Sequence, residues 1–427
     1  MTWVHLSERI APFWPTSAEA VAAAELPLAQ QGPDQELIVV GAAPVTAVED
    51  FASPQQFARR LEPLVVADGS GDFEAVVLES AVAGTGIRLF LLVIPPGHGD
   101  GGFAAAALGL VGTLPDSPQL LHLHGDTGLD VDRAREELDG PAVIQSVYGL
   151  AGSDRLAAAV RDADEVVVPC SDLNVASGEA NGSAVAQALR EHPHLRVVTH
   201  GIDLRRWDPS GDTALPATFD TESLGGKGAC KKALQVGAEL APREDVPIVA
   251  VWSAGGPDGG LGLVAAHLKE ILALDVQLVV IRPDSEDTDG ALATVSGAQV
   301  WQADAGDEAL LRRVLAGSDV ALLPDATAAL GQRALIATRY GLVPLARRVN
   351  AHRDRLVEYD GLSNTGGAFL FDEPLDVELM VALGRMRRAY GAPEIWPGMV
   401  RANGAMDVGW SRTAAQLRSV YRKALAK

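Results

Sequence analysis

Cysteine is nearly absent: Cys170 and Cys230 are the only two in 427 residues. Two thiols supply neither a disulfide framework nor paired metal-ligand spacing, so both read as buried, inert side chains. Basic residues are scarce as well, 35 against 56 acidic, for a formal charge of −21. That balance excludes a general binder of nucleic acid or of anionic membrane, each of which needs a positive surface. It leaves room for a site in which a few local arginines hold a nucleotide sugar. Apolar runs such as "IRLFLLVIPP" are too short to span a bilayer. The opening "MTWVHLSERIAPFWPTSAEA" has no basic start or continuous apolar core of a signal peptide. Internal repeats and long low-complexity tracts are lacking too. A cytoplasmic protein is expected.

Hydrophobic residues make up 48% and charged residues 21%, a globular composition. The length suggests two domains rather than one core. Short β-branched runs alternate with alanine-rich helical stretches throughout. The first series of expected strands is 36–40, 74–80, 87–94, 119–124, 142–147, 165–169 and 195–200. A second series follows at 247–253, 276–281, 298–301, 319–324 and 342–346. Near-continuous apolar strands alternating with helices imply parallel sheets covered on both faces. Between the series, "HGIDLRRWDPSGDTALPATFD" is rich in Pro, Gly and Asp and reads as a linker. The expectation is an α/β chain of two Rossmann-like domains, 1–210 and 211–395, with a helical segment 396–427 crossing back to the first. Ligands in such sheets sit outside the carboxyl ends of the strands, so a cleft between the domains is the expected site. The acidic stretch 283–290 reads as a solvated loop.

One segment frames the functional question. In "VWSAGGPDGGLGLVAAHLKEIL" a strand enters a loop holding Gly255, Gly256, Gly259, Gly260 and Gly262, and a helix follows. Strand, glycine-rich turn and helix together can hold a phosphate on backbone N–H groups. This loop contains no Lys or Arg, and its one charged residue is Asp258. Its glycine spacing does not fit a dinucleotide fingerprint, and the acidic position expected at the end of the next strand is Arg282. No serine or cysteine stands in a nucleophile-elbow context.

Several stretches together resemble the bacterial glycogen synthase and starch synthase family, retaining glucosyltransferases of the GT-B fold. The most specific is "HGIDLRRWDPSGDTALPATFDTESLGGKGACKKALQ", where Gly201, Ile202, Asp203, Trp207, Asp208, Pro209, Asp212, Lys227 and Lys231 fall on the family pattern. "LPDATAALGQRALIATRYGLVPLARR" is similar to its nucleotide-sugar loop, and "AFLFDEP" and "MVRANGAMDVGWSRTAAQLRSVYRKAL" to its closing strand and returning helix. "SERIAPF" resembles its opening strand and "HLHGDTGL" a later first-domain loop. The resemblance implies glucose transfer from ADP- or UDP-glucose to an α-1,4-glucan. That chemistry needs positive charge on the departing diphosphate.

Position by position, the family's charged groups are missing. Its phosphate-binding Arg and Lys fall on Ala254 and Gly259, its Glu on Ala328 (with Gly331 retained), and its first-domain His on Tyr148. Its Thr-Gly-Gly turn is Val349-Asn350-Ala351, and Pro15 stands about where its Lys-Thr-Gly-Gly loop has the Lys. A charge-assisted hydrogen bond contributes roughly 1.5–3 kcal/mol. Loss of Arg and Lys together then removes about 3–6 kcal/mol, or roughly two to four decades of rate. The resemblance therefore implies a degenerate member with no catalytic residue of the family type, a non-catalytic glucan-binding or partner-assisting pseudoglycosyltransferase. The alternative is an active glycosyltransferase with a rearranged site that uses Arg333 or Arg347 on the phosphates.

Ligand candidates are His124, Asp126, Tyr148, Gly331, Arg333, Arg347 and Asp354, with His200 and His352 on loops expected to face the cleft. Tyr148 can stack on a sugar or simply fill space, as can Trp14, Trp252 and Trp301. His122 and His124 alternate on a strand, but the sequence shows no convergent third ligand, so no metal is expected. No cofactor is expected either. The expected partners are an α-glucan or maltooligosaccharide, or an active glycogen-metabolism enzyme or other protein; neither nucleic acid nor membrane is expected.

Overall fold

The computed structural model describes residues 1–10, 18–32, 35–44, 58–59, 63–68, 70–82, 85–150, 152–171, 182–220, 223–255, 259–282, 299–304, 306–373 and 375–427. Pro15, Trp14, Gly256, Asp258 and the acidic stretch 283–290 lie outside the described residues. The chain divides into two units, Met1–His200 with Trp410–Lys427, and Gly201–Gly409. Residues 201–210, expected in the first domain, thus belong to the second unit. Of the expected returning segment, the helix Ile395–Gly404 belongs to the second unit and the helix Trp410–Ala424 to the first.

The first unit holds β1 (Thr2–Ser7), β2 (Glu36–Ala42), β3 (Ala58–Arg59), β4 (Leu64–Asp68), β5 (Gly71–Ala81), β6 (Arg88–Val93), β7 (Leu120–His124), β8 (Ala142–Ser146), β9 (Glu165–Val168) and β10 (Leu195–Val197). Their order is β10-β9-β8-β7-β1-β2-β6-β5-β3, with β4 paired to β5. The opening strand is Thr2–Ser7, earlier than the "SERIAPF" stretch suggested. β5 runs antiparallel to β6, β3 and β4, a departure from the all-parallel expectation. The reason is connection length: six residues separate β5 from β6 and two separate β4 from β5, too few for a helical crossover.

The second unit holds β11 (Ile248–Trp252), β12 (Gln277–Arg282), β13 (Val300–Asp304), β14 (Val320–Leu323), β15 (Val343–Arg347) and β16 (Phe369–Phe371), in the order β13-β12-β11-β14-β15-β16. Every pair in it is parallel. β7, β11 and β14 are buried along their whole length, as expected for strands covered by helices on both faces. Among the described residues no helix is long and apolar enough to cross a membrane. Both cysteines are buried.

Buried lysines tie the second unit together. On the helix Gly225–Gly237, Lys227 Nζ donates to the carbonyls of Ala316, Ser318 and Tyr340 at 3.1, 2.7 and 2.8 Å. These carbonyls end two helices, where a cation is favoured. Lys231 Nζ pairs with Asp319 Oδ2 at 2.8 Å and donates to the Val246 carbonyl at 2.7 Å. Two residues that fall on the family pattern thus have packing roles.

Candidate functional site

In the second unit the sheet order reverses between β11 and β14, so the loops leaving their carboxyl ends diverge. This is the switch point at which open α/β sheets bind ligands. The two loops are the glycine-rich turn after Trp252 and the segment Pro324–Gly331.

The turn is closed on the protein's own oxygens. Ser253 Oγ donates to the Gly259 carbonyl at 2.8 Å and accepts from Gly255 N–H at 2.9 Å. Ala254 N–H donates to Asp325 Oδ1 at 2.7 Å. A Cβ on Gly259 would collide with Ser253 Oγ, and one on Gly260 with the Pro324 carbonyl. Gly260 also sits at φ +70°, where glycine is favoured. These glycines are required by the turn's own packing.

Asp325 is the charged centre of this arrangement, and sequence reasoning passed over it. Its side chain is buried, its Oδ1 lies 3.1 Å from Arg333 NH2, and its Oδ2 has no hydrogen-bond partner among the described residues. Burial pushes its carboxyl above the ordinary value, against the pull of the Arg333 guanidinium. Arg333 lies on the helix Gln332–Arg339, which opens at Gly331 with φ +63°. Arg333 is therefore engaged by a carboxylate inside the chain.

The neighbouring loop is closed in the same way. Ala328 N–H donates to Asn350 Oδ1 at 3.0 Å, and Ala351 N–H to the Ala328 carbonyl at 3.2 Å. Gly331 packs against Ala351 and His352. His352 is buried, with Nδ1 3.1 Å from the Arg347 carbonyl; burial lowers its pKa to about 4. Arg347 pairs with Glu373 at 3.0 Å, and Asp354 is exposed. Trp252 is buried and Trp301 half-buried. Ala254, Gly259, Ala328, Gly331, Arg333 and His352 are thus brought together, and Asp354 is exposed on the helix Asn350–Arg355.

In the first unit His124 Nδ1 lies 2.8 Å from the Tyr148 hydroxyl. The Tyr148 ring also neighbours His200, itself buried beside Trp410, with centroids 5.6 and 5.4 Å apart. His200 and His352 are core side chains, contrary to the expectation of loop positions facing a ligand. Asp126 Oδ2 accepts from Ser153 N–H at 3.0 Å and so braces the helix Asp154–Asp162. Asp126 thus has a local structural role, and His124 and Tyr148 form a pair. The third imidazole that the sequence did not show is His5, whose Nδ1 is 3.0 Å from His124 Nε2.

No family model matches the chain. It is 33% identical over 270 residues to a glycogen synthase of Anaeromyxobacter sp. (strain Fw109-5), covering 62% of this chain and 56% of that relative. A glycogen synthase of Yersinia pseudotuberculosis is 34% identical over 245 residues, 56% of this chain and 51% of the relative. The match therefore spans about half the length of these relatives. The catalytic domain of starch synthase IV from Arabidopsis thaliana, bound to ADP and acarbose, superposes with a TM-score of 0.86 at 19% identity, covering 100% of both chains. A sucrose-phosphate synthase from Thermosynechococcus elongatus gives 0.65 at 14% identity, covering 100% of this chain and 99% of that one. By sequence this chain is similar to bacterial glycogen synthases over about half of their length, and its fold is the two-sheet GT-B fold of the starch synthase catalytic domain.

Proposed function

We propose that this chain is a glycogen synthase-like protein that does not transfer glucose, and that it binds an α-glucan or assists a partner protein. The observation behind the proposal is the Asp325 carboxylate on the Ala254 amide. Glycosyl transfer from a nucleotide sugar requires donors and cations aimed at a diphosphate. Here the glycine-rich turn holds an anion of its own, the position the resemblance gives to Lys is a glycine whose Cβ would displace Ser253 Oγ, and Arg333 is paired. A second anion at this turn would meet the Asp325 charge in a poorly solvated place.

Calorimetry with ADP-glucose, UDP-glucose and a maltooligosaccharide series, beside an assay of labelled glucose incorporation into glycogen, tests the proposal. The expected result is glucan binding with neither nucleotide-sugar binding nor incorporation. Incorporation at ordinary enzyme rates would overturn it. Nucleotide-sugar binding that disappears on Arg333→Ala would instead favour an active, rearranged site. Absence of both ligands would leave the partner-assisting role alone.

A further inference from the structure

Three imidazoles meet on one face of the first unit's sheet. β1 and β7 are parallel neighbours, in a register that sets His5 opposite His122 and Ser7 opposite His124. Residues two apart on a strand share a face, so His122 and His124 form one edge of a triangle and His5 closes it. His5 Nδ1 and His124 Nε2 are 3.0 Å apart. The rings of His122 and His124 stack with centroids 4.2 Å apart. One ring nitrogen from each of the three lies within 4.8 Å of the other two. For comparison, two nitrogens bound tetrahedrally to one ion at ordinary zinc distances are about 3.3 Å apart.

The surroundings also suit a metal centre. Ligating histidines are held in orientation by partners on their other nitrogen. His124 Nδ1 lies 2.8 Å from the Tyr148 hydroxyl. His122 has Tyr421 OH 2.5 Å from Nδ1 and Ser146 Oγ 2.7 Å from Nε2, so one can orient the ring while the other gives way to an ion. The Tyr421 hydroxyl, which accepts from Gln30 Nε2 at 2.9 Å, is an oxygen beside the cluster that can serve as a fourth donor. We propose that His5, His122 and His124 form a tridentate site for a late first-row transition ion of the zinc class, joining β1 to β7 beneath the helix Trp410–Ala424. Three nitrogens with a hydroxyl oxygen suit zinc or copper and not magnesium or calcium.

The test uses the full chain, made without a polyhistidine tag and stripped with a chelator. Zn2+ is titrated by calorimetry and Co2+ by visible absorption. The expected result is one ion per chain, cobalt bands of tetrahedral intensity and a higher Tm with zinc. His5→Gln should weaken zinc binding by about 100-fold or more and abolish the cobalt spectrum, while His192→Gln leaves both unchanged. Absence of binding tighter than micromolar in the folded chain, weak octahedral cobalt bands, or a spectrum that survives His5→Gln would each overturn the site. If His5→Gln does not fold, X-ray absorption of the zinc-loaded wild-type chain decides: three imidazole scatterers support the site, and fewer overturn it.

Discussion

Asp325 accepts a hydrogen bond from the Ala254 amide at 2.7 Å and faces Arg333 at 3.1 Å. One carboxylate thereby occupies the backbone donor of a glycine-rich turn and the nearest cation of the following loop. Asp325→Ala should cost about 1–3 kcal/mol in urea unfolding, the usual loss when a buried charged partner is removed. A double-mutant cycle with Arg333→Ala should show non-additivity, because the two groups touch. If the carboxylate is what keeps anions out, ADP binding measured by calorimetry should be stronger in Asp325→Ala than in the wild type.

The lysine that the family resemblance sets at Gly259 cannot simply be introduced there. Gly259→Lys places a Cβ against Ser253 Oγ, inside the hydrogen bond that closes the turn. Overpacking of this kind costs roughly 1–3 kcal/mol. A thermal melt should show the loss, and the variant should gain no nucleotide-sugar binding while Ser253 and Asp325 remain.

His352 makes stability depend on pH. Burial lowers its pKa to about 4 from the ordinary 6.5. As pH falls, the unfolded chain takes up this proton first, so the stabilisation is fully present above pH 6.5 and is lost as pH falls toward 4. His352→Asn keeps a donor toward the Arg347 carbonyl and removes the titration. The wild-type and variant stabilities, measured by denaturant unfolding, should converge by roughly 3 kcal/mol between pH 7 and pH 4.

Lys227 is a structural cation. Lys227→Met removes the donor to three carbonyls and leaves them buried without it. A loss of about 2–4 kcal/mol is expected from equilibrium unfolding in urea. An unchanged midpoint would show that water replaces the ammonium.

The strands were the most legible part of the molecule, since buried parallel strands write themselves as apolar runs. The antiparallel edge was not, because β3 is only two residues long and β4 alternates half-buried with exposed positions. The site was half legible. Ala254, Gly259, Ala328 and Gly331 could be placed by resemblance, and the structure brings them together. Asp325 was invisible because nothing local distinguishes it from any acidic loop residue; its role arises only where β11 and β14 lie side by side. His5 was missed for the same reason, as an isolated histidine in "WVHLS" gains neighbours only through the β1–β7 register. Asp126 was a ligand candidate and His200 and His352 were expected on loops facing the cleft, but a backbone hydrogen bond holds Asp126, and burial gives the two histidines packing roles.

The order of synthesis carries a consequence of the discontinuous first unit. Trp410, Leu417 and Tyr421 complete a core that begins at Trp3 and Leu26, while Gly201–Gly409 is one unbroken stretch. On the ribosome the second unit can finish folding while the first still lacks its last helix. Until then Gln30 and His122 wait without Tyr421, and the apolar face beneath that helix stays open to chaperones and to other nascent chains.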